Sequence, residues 1–295
     1  MQPTTNQIEN TLDYLGRLIG PSPSVETKAS TLASICFSRA CALLLVPDED
    51  AKRKAEAEAE RMGQWLLHHP NSNNLDLDPL ILASHYDLLT SHRLNTQSYG
   101  ELVGRIAQAL RGMPANMAEQ GRIRLIASLL SRNGLDCGPG HKRPGAESTL
   151  EDPSAILVMD ERRMIDALDH AYADDRTCRA EASRALALVA LTDLRNYRID
   201  LACRTLRYLL AFGTDLDYVQ DALDFIGLQR RAKGGYGFFD PERSAELPAE
   251  KREIEYHLPI TLNCVWTMNA AARRAAKGPT AMERADHDAS VGSAA

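Results

Sequence analysis

The chain has 295 residues, 44% of them hydrophobic, with 34 Lys and Arg against 40 Asp and Glu for a formal net charge of −6. That apolar content suffices for one large core or two smaller ones. The acidic balance argues against a generally basic nucleic-acid face and against a strongly cationic membrane-surface protein.

Helical periodicity then recurs from end to end. Thr4-x-x-Gln7 reads as a capping box, after which Ile8, Leu12, Leu15 and Ile19 share one face. Pro21 to Ser24 breaks that helix, and Ser24 suits the N-cap of a second one running to Val46, with Leu32, Ile35, Ala40 and Leu43 on its stripe. Pro47 and the acids Asp48 to Asp50 open a third, whose stripe of Ala51, Ala55, Ala59, Met62 and Leu66 predicts close approach to a neighbour. Its run from Lys52 to Arg61 reads as a solvated face with i,i+4 pairs. Asn71 to Asp78 is a turn-rich linker, and further helices are predicted over 79–92, 97–111 and 117–131. Asn133 to Pro153 is rich in Gly and Pro, and a long mobile loop is expected over 133–154. Helices resume over 156–172, 180–194, 197–211, 216–229 and 258–276, and 277–295 reads as a disordered tail. No segment shows sustained strand alternation. The fold class expected is therefore all-α, some eleven helices in antiparallel pairs, forming an α/α toroid or an α-solenoid.

The N-terminus Met1-Gln2-Pro3-Thr4-Thr5-Asn6 lacks the basic and apolar regions of a signal peptide, and the longest apolar run, Cys41 to Val46, is too short to span a bilayer. Six cysteines, at 36, 41, 137, 178, 203 and 264, form no Cys-x-x-Cys pair and mostly sit in apolar helical stretches. They read as reduced, buried thiols, and the expected location is cytoplasmic.

One stretch carries a more specific pattern. Residues 222–240 read Ala-Leu-Asp-Phe-Ile-Gly-Leu-Gln229-Arg-Arg-Ala-Lys-Gly234-Gly235-Tyr236-Gly237-Phe238-Phe239-Asp240, and Tyr256-His257-Leu-Pro259-Ile-Thr261-Leu-Asn-Cys264-Val-Trp266-Thr-Met268 follows a polar insertion. Paired glycines let a chain reverse at φ values that other residues resist, an aromatic at Tyr236 or Phe238 can plug the gap between helix ends, and Gln229 can bond orphan backbone groups. This stretch resembles the repeat of the squalene-cyclase and protein-prenyltransferase superfamily, in which an outer helix ends at Gln, a Gly-rich turn carries an aromatic, and an inner helix follows. The family repeat places three residues between Gln and Gly and ends in Trp; here there are four, and the aromatic is Tyr236. The resemblance implies an α/α toroid over 1–276 as a single domain, with a central cavity and reactive groups near the N-terminal ends of inner helices.

The acid motifs of that superfamily are incomplete. Asp76-Leu77-Asp78 and Asp215-Leu216-Asp217 lack the second adjacent Asp of Asp-x-Asp-Asp, and Asp215 and Asp217 suit an N-cap. Asp174-Asp175 stops short of Asp-Asp-x-x-Asp. With only 5% aromatic residues, a carbocation-stabilising cavity is disfavoured. Zinc would need an Asp-x-Cys partner for His257; only the adjacent Asp136-Cys137 is present, so no cofactor is expected. His68-His69 and His85-x-Asp87 have no ligand spacing and are expected to be surface or hydrogen-bonded residues.

The catalytic candidates are His257, Asp240, Tyr256 and Glu255, with Tyr236, Phe238, Cys264 and Trp266 as substrate-binding candidates. His257 would face the mouth of the cavity as a base or hydrogen-bond donor; alternatively, Tyr256 and His257 cap and brace the turn. The expected function is a toroid protein of a natural-product pathway that binds a small hydrophobic or modified-peptide substrate, with or without catalysis. The alternative is a non-catalytic scaffold for a peptide or protein partner. Neither nucleic acid nor a membrane span is expected.

Overall fold

A computed structural model describes residues 3–19, 29–68, 77–113, 121–138, 150, 152–174, 178–237, 247–248 and 251–277. Among these the chain is all-helical, with no strand. The helices are α1 (Thr5–Ile19), α2 (Ala29–Leu43), α3 (Glu49–His68), α4 (Pro79–Ser91), α5 (Gln97–Arg111), α6 (Gly121–Arg132), α7 (Pro153–Val158), α8 (Glu161–Ala173), α9 (Ala180–Arg195), α10 (Ile199–Ala211), α11 (Gln220–Leu228) and α12 (Leu258–Ala276). None is long and apolar enough to cross a membrane. Ser24, Asp76, Asp175, the centre of the predicted 133–154 loop and the 278–295 part of the tail lie outside the described residues.

Local signals set the helix ends. The capping box is reciprocal: Thr4 N donates to Gln7 Oε1 at 2.8 Å and Gln7 N to Thr4 Oγ1 at 3.4 Å. Asp215 accepts from Asp217 N and opens a 3₁₀ turn, Leu216–Tyr218, as an N-cap should. The segment expected as one helix over 156–172 is two. Asp160 takes extended backbone and accepts from Arg163 N, so it starts α8 afresh after α7 has ended.

The packing order follows the numbering. Each even-numbered helix touches the next even one, α2 to α4, α4 to α6, α6 to α8, α8 to α10 and α10 to α12, and α12 returns to α2. The odd helices α1, α3, α5 and α9 lie against these, while α7 and α11 lie against α9.

Side-chain ties show that the even helices all run the same way. Between α4 and α6, Asp78 meets Arg122 at the N-terminal ends, and Asp87 meets Asn133 past the C-terminal end. Between α6 and α8, Gly121 N donates to Asp166 and, further along both helices, Ser128 donates to the Ala173 carbonyl. Between α8 and α10 the pairs are Asp169 with Arg204 and Tyr172 with Tyr208. Between α10 and α12, Thr267 donates to the Cys203 carbonyl and Arg274 to that of Gly213. The return from α12 to α2 is made by Asn269 Nδ2, which donates to the Cys41 carbonyl at 3.1 Å across 228 residues of sequence.

Phe37, fully buried on α2, joins three of these helices: its ring stacks on His85 of α4 at 5.2 Å and meets the edge of Trp266 of α12 at 4.9 Å. Burying such a ring contributes about 2 kcal/mol, and aromatic pairing adds about 1 kcal/mol. The expectation that His85 is a surface or hydrogen-bonded residue is overturned. His85 is fully buried between Phe37 and Tyr99, and neither ring nitrogen has a partner among the described residues.

Burial holds His85 neutral, pulling it down to about 3. Its unfolded value lies near 6.5, so the stability it contributes is complete above that pH and is lost as pH falls from about 6.5 towards about 3. Between pH 7 and 5 this loss comes to about 2 kcal/mol. His85→Phe keeps the ring contacts and removes the proton site, so urea midpoints of the variant should change less across that range; parallel pH profiles would rule this account out.

Candidate functional site

The Gly-rich turn closes as the sequence suggested, by a different bond. Gly237 N donates to the backbone carbonyl of Gln229 at 2.9 Å, and Arg231 N to that of Gly235 at 2.7 Å. The Gln229 side-chain oxygen is buried and has no partner among the described residues. Gly234, at φ +103°, could not carry a side chain: a Cβ there would lie 2.0 Å from the Asn10 carbonyl oxygen. Tyr236 plugs the gap; it is buried, its N donates to Thr261 Oγ1 at 3.0 Å, and its hydroxyl accepts from Arg230 at 2.7 Å.

His257 ends a short π-helix, Arg252–His257, that leads into α12. Its Nδ1 donates to the Tyr236 carbonyl at 3.3 Å, its ring meets Tyr256 edge-on at 4.8 Å, and only 7% of it is exposed. Burial, with Arg231 nearby, holds it below the ordinary imidazole value despite Glu253. Glu253 binds Arg231 through both oxygens, at 2.7 and 2.8 Å, and accepts from the Tyr14 hydroxyl at 2.9 Å. Those bonds, above all the one from Arg231, pull its carboxyl down to about 2. Glu255 is exposed and pairs with Lys251 at 3.7 Å. Cys264 is fully buried beside Cys203 of α10, and burial pushes its thiol up. Asp240 and Phe238 lie outside the described residues. The cluster around Tyr236 and His257 is thus a latch between α1, the Gly turn and α12, with Arg17 adding a 2.7 Å bond to the Lys233 carbonyl.

A separate cavity of about 840 Å³ lies among the even helices. Its walls come from α4, α6, α8, α10 and α12 and their cap residues, and of the described sequence candidates only Trp266 lines it. Aromatic surface is supplied by Trp266, Tyr172, Tyr208 and Phe212. Seven Lys and Arg side chains line it against three Asp, in a chain whose net charge is negative.

The cations are not equivalent. Arg122 pairs with Asp78 at 2.7 Å, capping the start of α4. Arg204 grips both oxygens of buried Asp169 at 2.7 and 2.6 Å, and Tyr208 donates to the same carboxylate. Arg132 and Arg274 donate to the carbonyls of Tyr172 and Gly213, groups left over near helix C-termini. Arg207 differs: its guanidinium lies 3.8 Å over the Trp266 ring, and its Nη1 donates to Asn263 Oδ1 at 3.0 Å and to Thr267 Oγ1 at 3.3 Å. No carboxylate among the described residues forms an ion pair with it, and burial pulls it down to about 10, which leaves it charged at neutral pH.

Sequence reasoning missed Arg204, Arg207, Tyr208 and Arg273. The signal was present: Arg204, Arg207 and Tyr208 recur at i, i+3 and i+4 in a mostly apolar helix, and Asn263, Trp266, Ala270 and Arg273 make the matching stripe on α12. Among the described residues, no group of three or more His, Cys, Asp and Glu side chains is placed to hold a metal ion.

The Asp169–Arg204 pair supports the cavity wall. Asp169→Ala leaves Arg204 uncompensated and should cost about 3 kcal/mol in urea unfolding, whereas Asp169→Leu with Arg204→Met removes both charges and should recover much of that loss. Equal destabilisation by both variants would show that the ion pair is not the source.

Comparison of the chain with protein-family models, with curated proteins and with solved structures gave no match.

Proposed function

We propose that the chain is an α/α toroid, a divergent member of the squalene-cyclase and prenyltransferase type, whose central chamber holds a small, partly apolar ligand. The observation that carries this reading is the origin of the cavity walls: α4, α6, α8, α10 and α12, which are neighbours in cyclic order and run in one direction. Odd helices that lie outside such a set leave the inner faces free to meet a ligand. Trp266, Tyr208, Leu125 and Leu129 offer apolar surface inside, which suits a lipid-like body better than a wholly polar one. On the resemblance of residues 222–268, its place is in the biosynthesis of a natural product.

A second reading, a scaffold for a protein partner, draws support from large apolar side chains exposed on odd-numbered helices: Leu157 and Val158 of α7, Leu188 of α9 and Leu228 of α11.

Calorimetric titration with 1-decanol separates the two readings. The chamber reading expects saturable one-to-one binding that weakens at least tenfold in Ala270→Trp, which sets an indole on the chamber wall, while the melting temperature holds. Absence of binding, or binding indifferent to that substitution, would favour the scaffold.

A further inference from the structure

The charges lining the cavity specify the ligand further, an inference that rests on the chamber reading just given. Arg207 sets its guanidinium over Trp266 within α10, and no carboxylate among the described residues pairs with it. Arg207 is partly buried in the cavity wall, so its guanidinium gives up part of its hydration, a loss that an anion bound beside it offsets. Asn263 and Thr267 occupy only Nη1, so the remaining donors of the fork stay available to a ligand in the cavity.

The number of charges at this level is also fixed. Arg122 and Arg204 are neutralised by Asp78 and Asp169, and Arg132 and Arg274 are engaged with backbone carbonyls. Lys277 lies at the C-cap of α12, and Arg273, which donates to Ser91 Oγ at 3.2 Å, branches from α12 seven residues beyond Trp266. That separation is roughly 10 Å along the axis, too far to share a head group seated over the indole. Of the acids facing the cavity, Asp200 lies seven residues before Arg207 on α10 and Asp87 accepts from Asn133; neither pairs with Arg207.

We propose that Arg207 seats the carboxylate of an apolar monocarboxylic acid, with the hydrocarbon part against Trp266, Tyr208, Leu125 and Leu129. One cation at the seat matches one negative charge, and a planar carboxylate matches the guanidinium fork. A phosphate dianion would bring a second charge with no cation at that level to meet it.

The test compares three probes that share one chain: 1-decanol, decanoate and decyl phosphate, titrated into the full-length protein and followed by calorimetry. Decanoate should bind roughly tenfold to hundredfold tighter than decanol, the range expected of a hydrogen bond to a charged group. In Arg207→Met that preference, read as the ratio of decanoate to decanol affinity in the same variant, should vanish. Should Arg207→Met fail to fold, Arg207→Gln, which keeps a planar polar group without the charge, takes its place. Equal binding of decanol and decanoate to the native protein overturns the carboxylate seat and leaves the chamber standing. A decanoate preference that survives in the folded variant moves the seat away from Arg207 and also overturns the proposal, as does tighter binding of decyl phosphate than of decanoate. If neither decanol nor decanoate binds, the chamber reading fails as well.

Discussion

The common direction of the even-numbered helices is the constraint from which most of the charge placement follows. Aligned helices bring their C-terminal carbonyls, with their partial negative charge, to one end of the set. Arg132 and Arg274 answer there by donating to the carbonyls of Tyr172 and Gly213. At the opposite ends carboxylates answer the exposed N–H groups: Asp78 caps α4 and Asp160 caps α8. Much of the charge near the cavity therefore serves the helix ends, and counting cations overstates what is available to a ligand.

Arg207 stands apart because it sits within α10 and, among the described residues, opposite no acid. Arg204, three residues away on the same helix, shows the contrast: it is sealed by Asp169, which Tyr208 also holds. A guanidinium over an indole face keeps some favourable interaction without a counter-ion, through the ring quadrupole. It can therefore persist in the wall of a cavity in a folded chain, where an isolated ammonium would be hydrated more strongly and held less well.

The polar cluster that drew attention in the sequence has a mechanical explanation. Tyr14 and Arg231 converge on Glu253, Arg17 reaches the Lys233 carbonyl, and His257 bonds the Tyr236 carbonyl, so the first helix, the Gly turn and the last helix are tied together. A latch and a catalytic site draw on the same residue types. What separates them is access: His257 is buried and bonded to the backbone of the turn, whereas Trp266, nine residues on, reaches the cavity. The tie to α1 runs from Tyr14 to Glu253, more than two hundred residues later, and no local pattern encodes it.

The sequence by itself determined the helices, because apolar spacing, Pro and Gly breaks and capping side chains act within a few residues. Thr4, Gln7 and Asp215 were readable in that way, and so was the reversal at Gly234. Asp160 shows the limit: a capping residue inside an unbroken apolar period can end one helix and begin another, and the period alone does not reveal it. Only the tertiary structure decided that, among the described residues, His85 would be buried without a hydrogen bond and Arg204 would find Asp169 while Arg207 would find no acid. These outcomes depend on which helices become neighbours and in what direction they run. Both are set by non-local packing, as when Asn269 reaches back to Cys41.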